Sequence, residues 1–332
     1  MNASHPSADA TTLRAALGAV LDGLPPRQAT QAVERLIANY RGATPTHAPV
    51  LRDRSDVAAY AAYRMPATFE AVRAALYALA DAAPDWTPAG HTDVGGGTGA
   101  AAWAAAEVWR GAPRTTVLDW AEPALAIGAE LARGVVEADW RRERIGAALR
   151  LPESDLVTVS YVLNELTEAD RAALVTEAAR VARAVVIVEP GTPDGYARVI
   201  EARTRLTEAG FTVAAPCPHS GACPIVPGSD WCHFAARVSR SSLHRQVKGG
   251  SLPYEDEKYA YVAAARFPVE PAPARVVRKP QIRKGLVQLE LCGPDGLAKE
   301  NVSKRHGPRY KQARDVEWGD AWAGPTEDEG QG

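Results

Sequence analysis

The chain has 332 residues, 46% of them hydrophobic, enough to bury a sizeable core in one large domain with additions or in two domains. No apolar run is long enough to span a bilayer, and the opening Met1-Asn2-Ala3-Ser4-His5-Pro6 lacks the charged and apolar regions of a signal peptide, so no membrane partner and a cytoplasmic location are expected. The formal net charge of -2 hides two unlike regions: positions 231–314 hold 10 Arg and 7 Lys against 7 acidic residues, and every lysine lies from Lys248 to Lys311. A basic stretch of that density is expected to bind polyanions, chiefly nucleic-acid phosphates, and argues against a small-molecule enzyme with no further partner.

Residues 11–22, 28–40 and 68–82 space Leu, Val, Ile and Ala at helical period, and Thr68-Phe69-Glu70 opens the third like a capped start, so the N-terminal part reads as a helical cap. From residue 91 short apolar runs alternate with helical stretches: 92–94, 115–118, 155–159 and 184–188. Such runs suit strands of a parallel sheet covered on both faces, with helices completing βαβ units. Beyond Gly210 three cysteines and several prolines crowd a loop, followed by expected strands at 233–239 and 259–266 around a short helix. Pro268, Pro271 and Pro273 mark a linker. The segment 275–305, with the turn Gly293-Pro294-Asp295-Gly296, reads as a small antiparallel β unit, and the acidic tail from 326 as disordered. The division implied is a cap over 1–85, a nucleotide-binding-type α/β core over 86–215, a cysteine-rich loop with the remaining core strands over 216–267, a basic β unit over 268–322 and a tail over 323–332.

The first strand runs into Gly95-Gly96-Gly97-Thr98-Gly99-Ala100, glycines that let the backbone turn sharply and a ligand approach a helix N-terminus. A phosphate loop of the NTPase kind is excluded, because its lysine is missing. Two readings stay open. One is a dinucleotide fingerprint, Gly95-x-Gly97-x-x-Ala100, with Asp119 near the expected spacing of about 20 residues. The other is the methyltransferase motif Asp93-x-Gly95-x-Gly97-x-Gly99, in which Asp119 takes the ribose hydroxyls of S-adenosylmethionine.

Cys217, Cys223 and Cys232 are spaced C-x5-C-x8-C, and Cys292 follows at long range. The short knuckles of zinc ribbons are absent, so the spacing suits a 4Fe-4S cluster better than zinc, which remains the alternative. His219 and His233 stand near enough in sequence to substitute as ligands or to bond a cysteine sulfur.

Several segments together resemble one family, the methyltransferase-like proteins of the mitochondrial small ribosomal subunit and their bacterial relatives. The resemblance rests on Asp93-Val94-Gly95-Gly96-Gly97-Thr98-Gly99, Ser160-Tyr161-Val162-Leu163-Asn164-Glu165-Leu166 and Val188-Glu189-Pro190-Gly191-Thr192-Pro193. Pro216-Cys217-Pro218-His219, Asp230-Trp231-Cys232-His233-Phe234, Tyr254-Glu255-Asp256-Glu257-Lys258-Tyr259 and Trp318-Gly319-Asp320 continue it. It implies a class I methyltransferase (Rossmann-like) α/β fold, S-adenosylmethionine held through Asp93, Gly95, Gly97, Gly99 and Asp119, and a 4Fe-4S cluster on Cys217, Cys223, Cys232 and Cys292. It also implies a role in small-subunit assembly through contact with ribosomal RNA, for which Lys279, Arg283, Lys284, Lys304 and Arg305 are the expected contacts. Without an organellar targeting segment, a bacterial cytosolic protein is expected.

Catalysis is less defined. Enzymes that methylate base amines place Asn or Asp before paired prolines after the fourth strand, and here the text reads Leu163-Asn164-Glu165-Leu166. Asn164 is a candidate to accept a base hydrogen bond, Tyr161 to stack a base and Glu165 to act beside them. An equal reading makes Asn164-Glu165 the approach to a helix capped by Thr167. The expected function is therefore ribosomal RNA binding on a methyltransferase scaffold. An active ribosomal RNA methyltransferase is second, and a small-molecule methyltransferase with structural zinc or a dinucleotide enzyme third.

Overall fold

The computed structural model describes residues 7–22, 27, 30–33, 54–110, 113–226, 228–240 and 252–323. The helix expected over 28–40 lies mostly outside them. The tail from 326, and residues 241–251 where a short helix is expected, lie wholly outside.

Helix α1 (Ala10–Leu21) starts where Asp9 accepts the amides of Thr11 and Thr12 at 2.9 and 2.8 Å, and it buries Leu13 and Leu17. Helix α2 (Arg54–Ala82) differs from expectation: it runs through Pro66 and past Thr68 without a new cap. Pro66 removes one backbone bond. Its turn is nevertheless held by the buried row Val57, Ala58, Ala61, Met65, Phe69, Val72 and Leu76, which packs into the core on both sides of the proline.

The large sheet has the order β3-β2-β1-β4-β5-β8-β6, with β7 also paired to β8. Strands β1 (Gly90–Val94), β2 (Arg114–Asp119), β3 (Ala138–Arg142), β4 (Ser154–Ser160) and β5 (Ala182–Pro190) are parallel. Strand β8 (Tyr254–Ala265) runs antiparallel to β5 and to β6 (Thr212–Ala215) and β7 (Phe234–Ser239), which share its other edge. An antiparallel strand between the fifth and sixth gives the class I methyltransferase variant of the Rossmann-like α/β fold.

Along β5 the side chains alternate between two cores. Ala184, Val186 and Val188 join α1, α2, α3 (Ala100–Val108) and α4 (Glu122–Ala132), whereas Val185 and Ile187 join α5 (Glu168–Val181) and α6 (Pro193–Glu208). In the alanine-rich α3 only Trp103 fills volume, and it is fully buried, so its truncation is expected to cost about 3–5 kcal/mol.

The smaller sheet holds β9 (Ala274–Val276), β10 (Gln281–Arg283), β11 (Leu286–Gly293), β12 (Gly296–Ser303) and β13 (Ala321–Trp322), all antiparallel pairs. Helix α7 (Pro308–Asp315) closes its core of Val276, Val287, Leu289, Leu291, Val302, Ala313 and Trp322. Among the described residues no helix is long and apolar enough to cross a membrane.

Candidate functional site

Strand order reverses around β1, the position where open α/β sheets take ligands at the carboxyl ends of their strands. There the backbone leaves β1 with Gly95 at φ +67° and Gly97 at φ +53°. A Cβ on Gly95 would stand 2.4 Å from Val162, so that glycine serves packing as well as conformation. A Cβ on Gly97 would meet only Asp119, at 3.8 Å, so Gly97 borders open space that a ligand can use. The loop is fixed from below, because the amides of Gly95 and Gly96 both donate to the Leu118 carbonyl, at 2.7 and 3.1 Å.

Asp119, at the end of β2, accepts the Gly97 amide at 2.9 Å on one carboxyl oxygen and the Ala121 amide at 2.8 Å on the other. Each oxygen keeps a lone pair for a further donor. Burial raises its pKa against those hydrogen bonds. Next to it Trp120 leaves 42% of its surface exposed, a flat apolar face beside the carboxylate that the sequence reading did not single out.

Asp93 is buried under the loop. Its Oδ1 accepts from Thr158 Oγ1 at 2.9 Å, while Oδ2 lacks a partner and would be 2.4 Å from a Cβ on Gly96. Burial pushes its pKa up to about 7, the Thr158 bond opposing and the Asp119 charge adding. Behind it His91, held neutral by burial with a pKa of about 3, bonds Thr158 at 2.8 Å and Thr115 at 3.3 Å. With the Thr158 proton directed to Asp93, His91 donates from Nε2.

The catalytic candidates separate. Leu163–Glu165 forms a single 3-10 turn, and Thr167 caps α5 by accepting the Asp170 amide at 3.2 Å. Asn164 and Glu165 are exposed. Glu165 is nevertheless crowded by protein on its inner side, which together with the charges of Asp119 and Glu189 raises its pKa to about 7. Glu189 is buried, accepts the Leu163 amide at 3.0 Å and pairs with Arg198 at 2.7 Å, fixing the turn from behind.

Tyr161 takes φ 60°, a strained value for a residue with a side chain. Its hydroxyl donates to Glu257 at 2.9 Å, and Arg64 pairs with the same carboxylate at 3.0 Å and lies over the Tyr161 ring. Arg64 and Glu257 are 193 positions apart, and no local pattern in the sequence marks them as neighbours.

The four cysteines are free thiols. All four line one cavity of about 30 Å³, with Tyr196, Arg203, Arg275 and apolar neighbours. Cys217, Cys223 and Cys232 come from the loop between β6 and β7, and Cys292 from β11 of the other sheet. Tyr196 contacts the Cys223 sulfur at 3.1 Å. Burial raises the thiols of Cys217, Cys232 and Cys292, the last to about 12, and neighbouring sulfurs raise each further. Among the described residues no group of three or more His, Cys, Asp or Glu is arranged as a site that could hold a metal ion. His233 stacks on Trp231 and meets Trp318 edge-on, which gives it a packing role beside the cavity. His219 contributes its carbonyl to Arg203 at 2.9 Å.

In the small sheet Arg283 pairs in register with Leu286, and Leu286 with Ser303, while the Lys304 amide donates to the Gly285 carbonyl at 3.1 Å. Arg283, Lys284, Lys304 and Arg305 therefore share one end of the sheet. Lys279 stands beyond the other end of β10. Lys299 and Arg309 are spent on Glu290 and Glu300, whereas none of the five expected contacts forms an ion pair with another described residue. All five are exposed, and Ile282 between them is 56% exposed.

Two solved structures are similar to the chain at a distance. Magnesium protoporphyrin IX methyltransferase from Synechocystis PCC 6803 is 14% identical with a TM-score of 0.40, covering 71% of this chain and 94% of that one. The N-methyltransferase NodS from Bradyrhizobium japonicum is 14% identical with a TM-score of 0.39, covering 59% and 87%. The human mitochondrial ribosome assembly protein METTL17 is 29% identical over 286 residues, 79% of this chain and 61% of its own length. An Rsm22-cox11 tandem mitochondrial protein from Schizosaccharomyces pombe is 26% identical over 179 residues, 41% of this chain and 24% of its own length. The chain thus spans 61% of the first of these relatives and 24% of the second. The family and the relatives are described as mitochondrial, which overturns the expectation of a bacterial cytoplasmic protein. The expectation rested chiefly on the first few residues, which lie outside the family match over residues 54–323. A family model described as mitochondrial small ribosomal subunit Rsm22 matches residues 54–323, and the chain belongs to that family.

Proposed function

We propose that this protein binds ribosomal RNA of the small subunit during its assembly, on a methyltransferase scaffold that holds S-adenosylmethionine and a 4Fe-4S cluster. In this reading residues 1–85 form the cap, 86–215 the cofactor-binding core, 216–267 the cysteine loop with the last core strands, and 268–322 the RNA-binding β unit. The observation that carries it is the cavity at which Cys217, Cys223 and Cys232, from the loop between β6 and β7, meet Cys292 of the smaller sheet. Such a junction ties the basic unit to the scaffold.

The residues present fit both groups. S-adenosylmethionine is a sulfonium with an ammonium group, and the orphaned buried Oδ2 of Asp93 with Asp119 and Glu165 makes the loop acidic where that cation would lie. Gly97 leaves room for the ligand, Asp119 retains lone pairs for two ribose hydroxyls, and Trp120 offers a face to the adenine. Four soft thiols around one cavity, free of disulfides, suit iron–sulfur ligation. A cluster body is wider than one ion and takes thiolates from more widely separated positions. When bound, the cluster supplies bonds that fix the four sulfurs in one geometry. The chain's own residues then orient the basic end of the small sheet toward phosphate.

The Tyr161 hydroxyl is engaged by Glu257, and Asn164 has no prolines to frame a base, which favours the assembly role over active methyl transfer. Anaerobic purification followed by assay of iron, sulfide and ribosomal RNA binding tests the reading. Stoichiometric iron and sulfide with salt-dependent RNA binding is the expected result. A folded, RNA-competent protein carrying zinc alone overturns the iron–sulfur part, and transfer of a methyl group to small-subunit RNA establishes the active enzyme.

A further inference from the structure

The cysteine cavity has two charged lining residues without acidic partners. Arg203 of α6 and Arg275 of β9 are 4% and 8% exposed, and both line the cavity with the four thiols. Arg203 donates from Nη2 to the carbonyls of His219 and Gly221 at 2.9 and 2.7 Å, and its buried Nε has no partner. Arg275 donates from Nε to the Pro216 carbonyl at 3.0 Å and from Nη1 to the Gly319 carbonyl at 3.1 Å. Neither forms an ion pair with a described carboxylate, and no acidic side chain lines the cavity. Arg278 nearby differs, since Asp230 neutralises it.

Carbonyl dipoles satisfy N–H groups but leave the net charge of a guanidinium in place, and an uncompensated buried charge is strongly unfavourable. The two arginines also sit apart: Arg275 is the register partner of Cys292, whereas Arg203 grips the loop that carries Cys217 and Cys223. Four thiolates around an oxidised 4Fe-4S core amount to a dianion, so two guanidiniums bring the cavity to neutrality. We propose that Arg203 and Arg275 are the buried counter-cations of the tetrathiolate centre, stabilising its bound form and raising its reduction potential. The proposal rests on the cluster reading above. Cluster potentials respond to net charge and to hydrogen bonds at the sulfurs, and one-electron reduction adds a negative charge that both arginines favour.

The test uses the full chain, reconstituted anaerobically, as wild type, Arg203→Gln, Arg275→Gln, Arg203→Lys and Arg275→Lys. Gln keeps a donor for the loop carbonyls and removes the charge, whereas Lys keeps the charge. Iron, sulfide and zinc per chain are measured first, then the rate of metal loss to a chelator and the midpoint potential. Each Gln variant is expected to lose metal about tenfold faster and to shift the one-electron equilibrium about tenfold toward the oxidised form, about 59 mV more negative. Each Lys variant should recover most of both effects. Gln variants with wild-type iron, sulfide, release rate and potential would overturn the proposal and leave the cluster reading standing. Lys variants as impaired as Gln would also overturn it, because the arginines would then act only as clamps on the loop. Wild type holding zinc without sulfide would defeat the iron–sulfur reading. The release rates of the zinc-loaded variants then decide the counter-cation proposal on their own.

Discussion

Asp119 accepts the Gly97 amide at 2.9 Å, which couples the end of β2 to the crest of the glycine loop after β1. One carboxylate thus both shapes the loop and faces the space beside it. Replacing Gly97 with Val puts a branched side chain at φ +53°, a strain of about 1–2 kcal/mol, and fills the space over Asp119. Asp119→Ala removes the loop contact and the ribose acceptor together. Both should weaken S-adenosylmethionine binding at least tenfold by calorimetry, with the thermal midpoint lowered only modestly. Tight binding of NAD in place of S-adenosylmethionine would reassign the loop to a dinucleotide.

The buried Asp93 makes a pH prediction. Its pKa of about 7 lies above its unfolded value, so the native state holds a proton that the unfolded chain releases first. Stability from this residue is therefore full below the unfolded pKa of about 4 and falls as pH rises toward 7. Asp93→Asn should flatten the decline of thermal midpoint between about pH 4 and 7. A cationic ligand favours the ionised carboxyl, so S-adenosylmethionine affinity of the wild type should rise through pH 7 and that of the variant should not. Parallel pH profiles for the two proteins would exclude Asp93 from the site.

The basic end of the small sheet is tested by salt. Neutralising Arg283, Lys284, Lys304 and Arg305 together should weaken RNA binding about equally across sequences, because phosphate contacts carry no sequence information. The slope of log affinity against log salt should become shallower by up to about 3, at about 0.7 per phosphate contact on single strands. Lys279, beyond the other end of β10, should contribute less when replaced alone. An unchanged slope would mark the cluster as a solvated face.

Much of this architecture is legible in the chain because burial on both faces writes a continuous apolar run. The runs at 92–94, 115–118, 155–159 and 184–188 became β1, β2, β4 and β5 with two to four residues added in total at the ends. Strand β3 was missed, since it is an edge strand whose Ala138-Asp139-Trp140-Arg141-Arg142 is mostly exposed and shows no apolar run. The start of α2 was misplaced because a capping signal and a proline outweighed, on paper, a buried face that only tertiary packing reveals. In the site, Asp93, the glycines and Asp119 are neighbours through one βαβ unit and so are readable. Arg64 with Glu257, and Arg203 with Arg275, are not: each is one arginine among many until the fold brings it to its partners.

Cys292 is the thiol on which the link between the two sheets is best tested. Other contacts also join the two sides: Arg275 reaches the Pro216 carbonyl, Arg278 reaches Asp230 and the Trp231 carbonyl at 3.3 Å, and Trp318 meets His233 edge-on and packs against the core of the large sheet. The segment between the sheets is held by the Glu270 amide on the Ala82 carbonyl at 2.8 Å and by Phe267 stacked on Trp86. Metal ligation across such a junction adds directly to folding, because the site does not exist in the unfolded chain. Cys292→Ser should therefore release the small sheet while the core keeps its fold. Limited proteolysis should cut at 268–286 in the variant well before the wild type, RNA affinity should fall, and S-adenosylmethionine binding should stay within about twofold of wild type. Cys217→Ser removes a ligand from the core side and should give the same protease pattern, since either loss opens the same junction. If Cys292→Ser left metal content and protease resistance unchanged, the four cysteines would not form one centre, and the small sheet would be held by Arg275, Arg278 and packing alone.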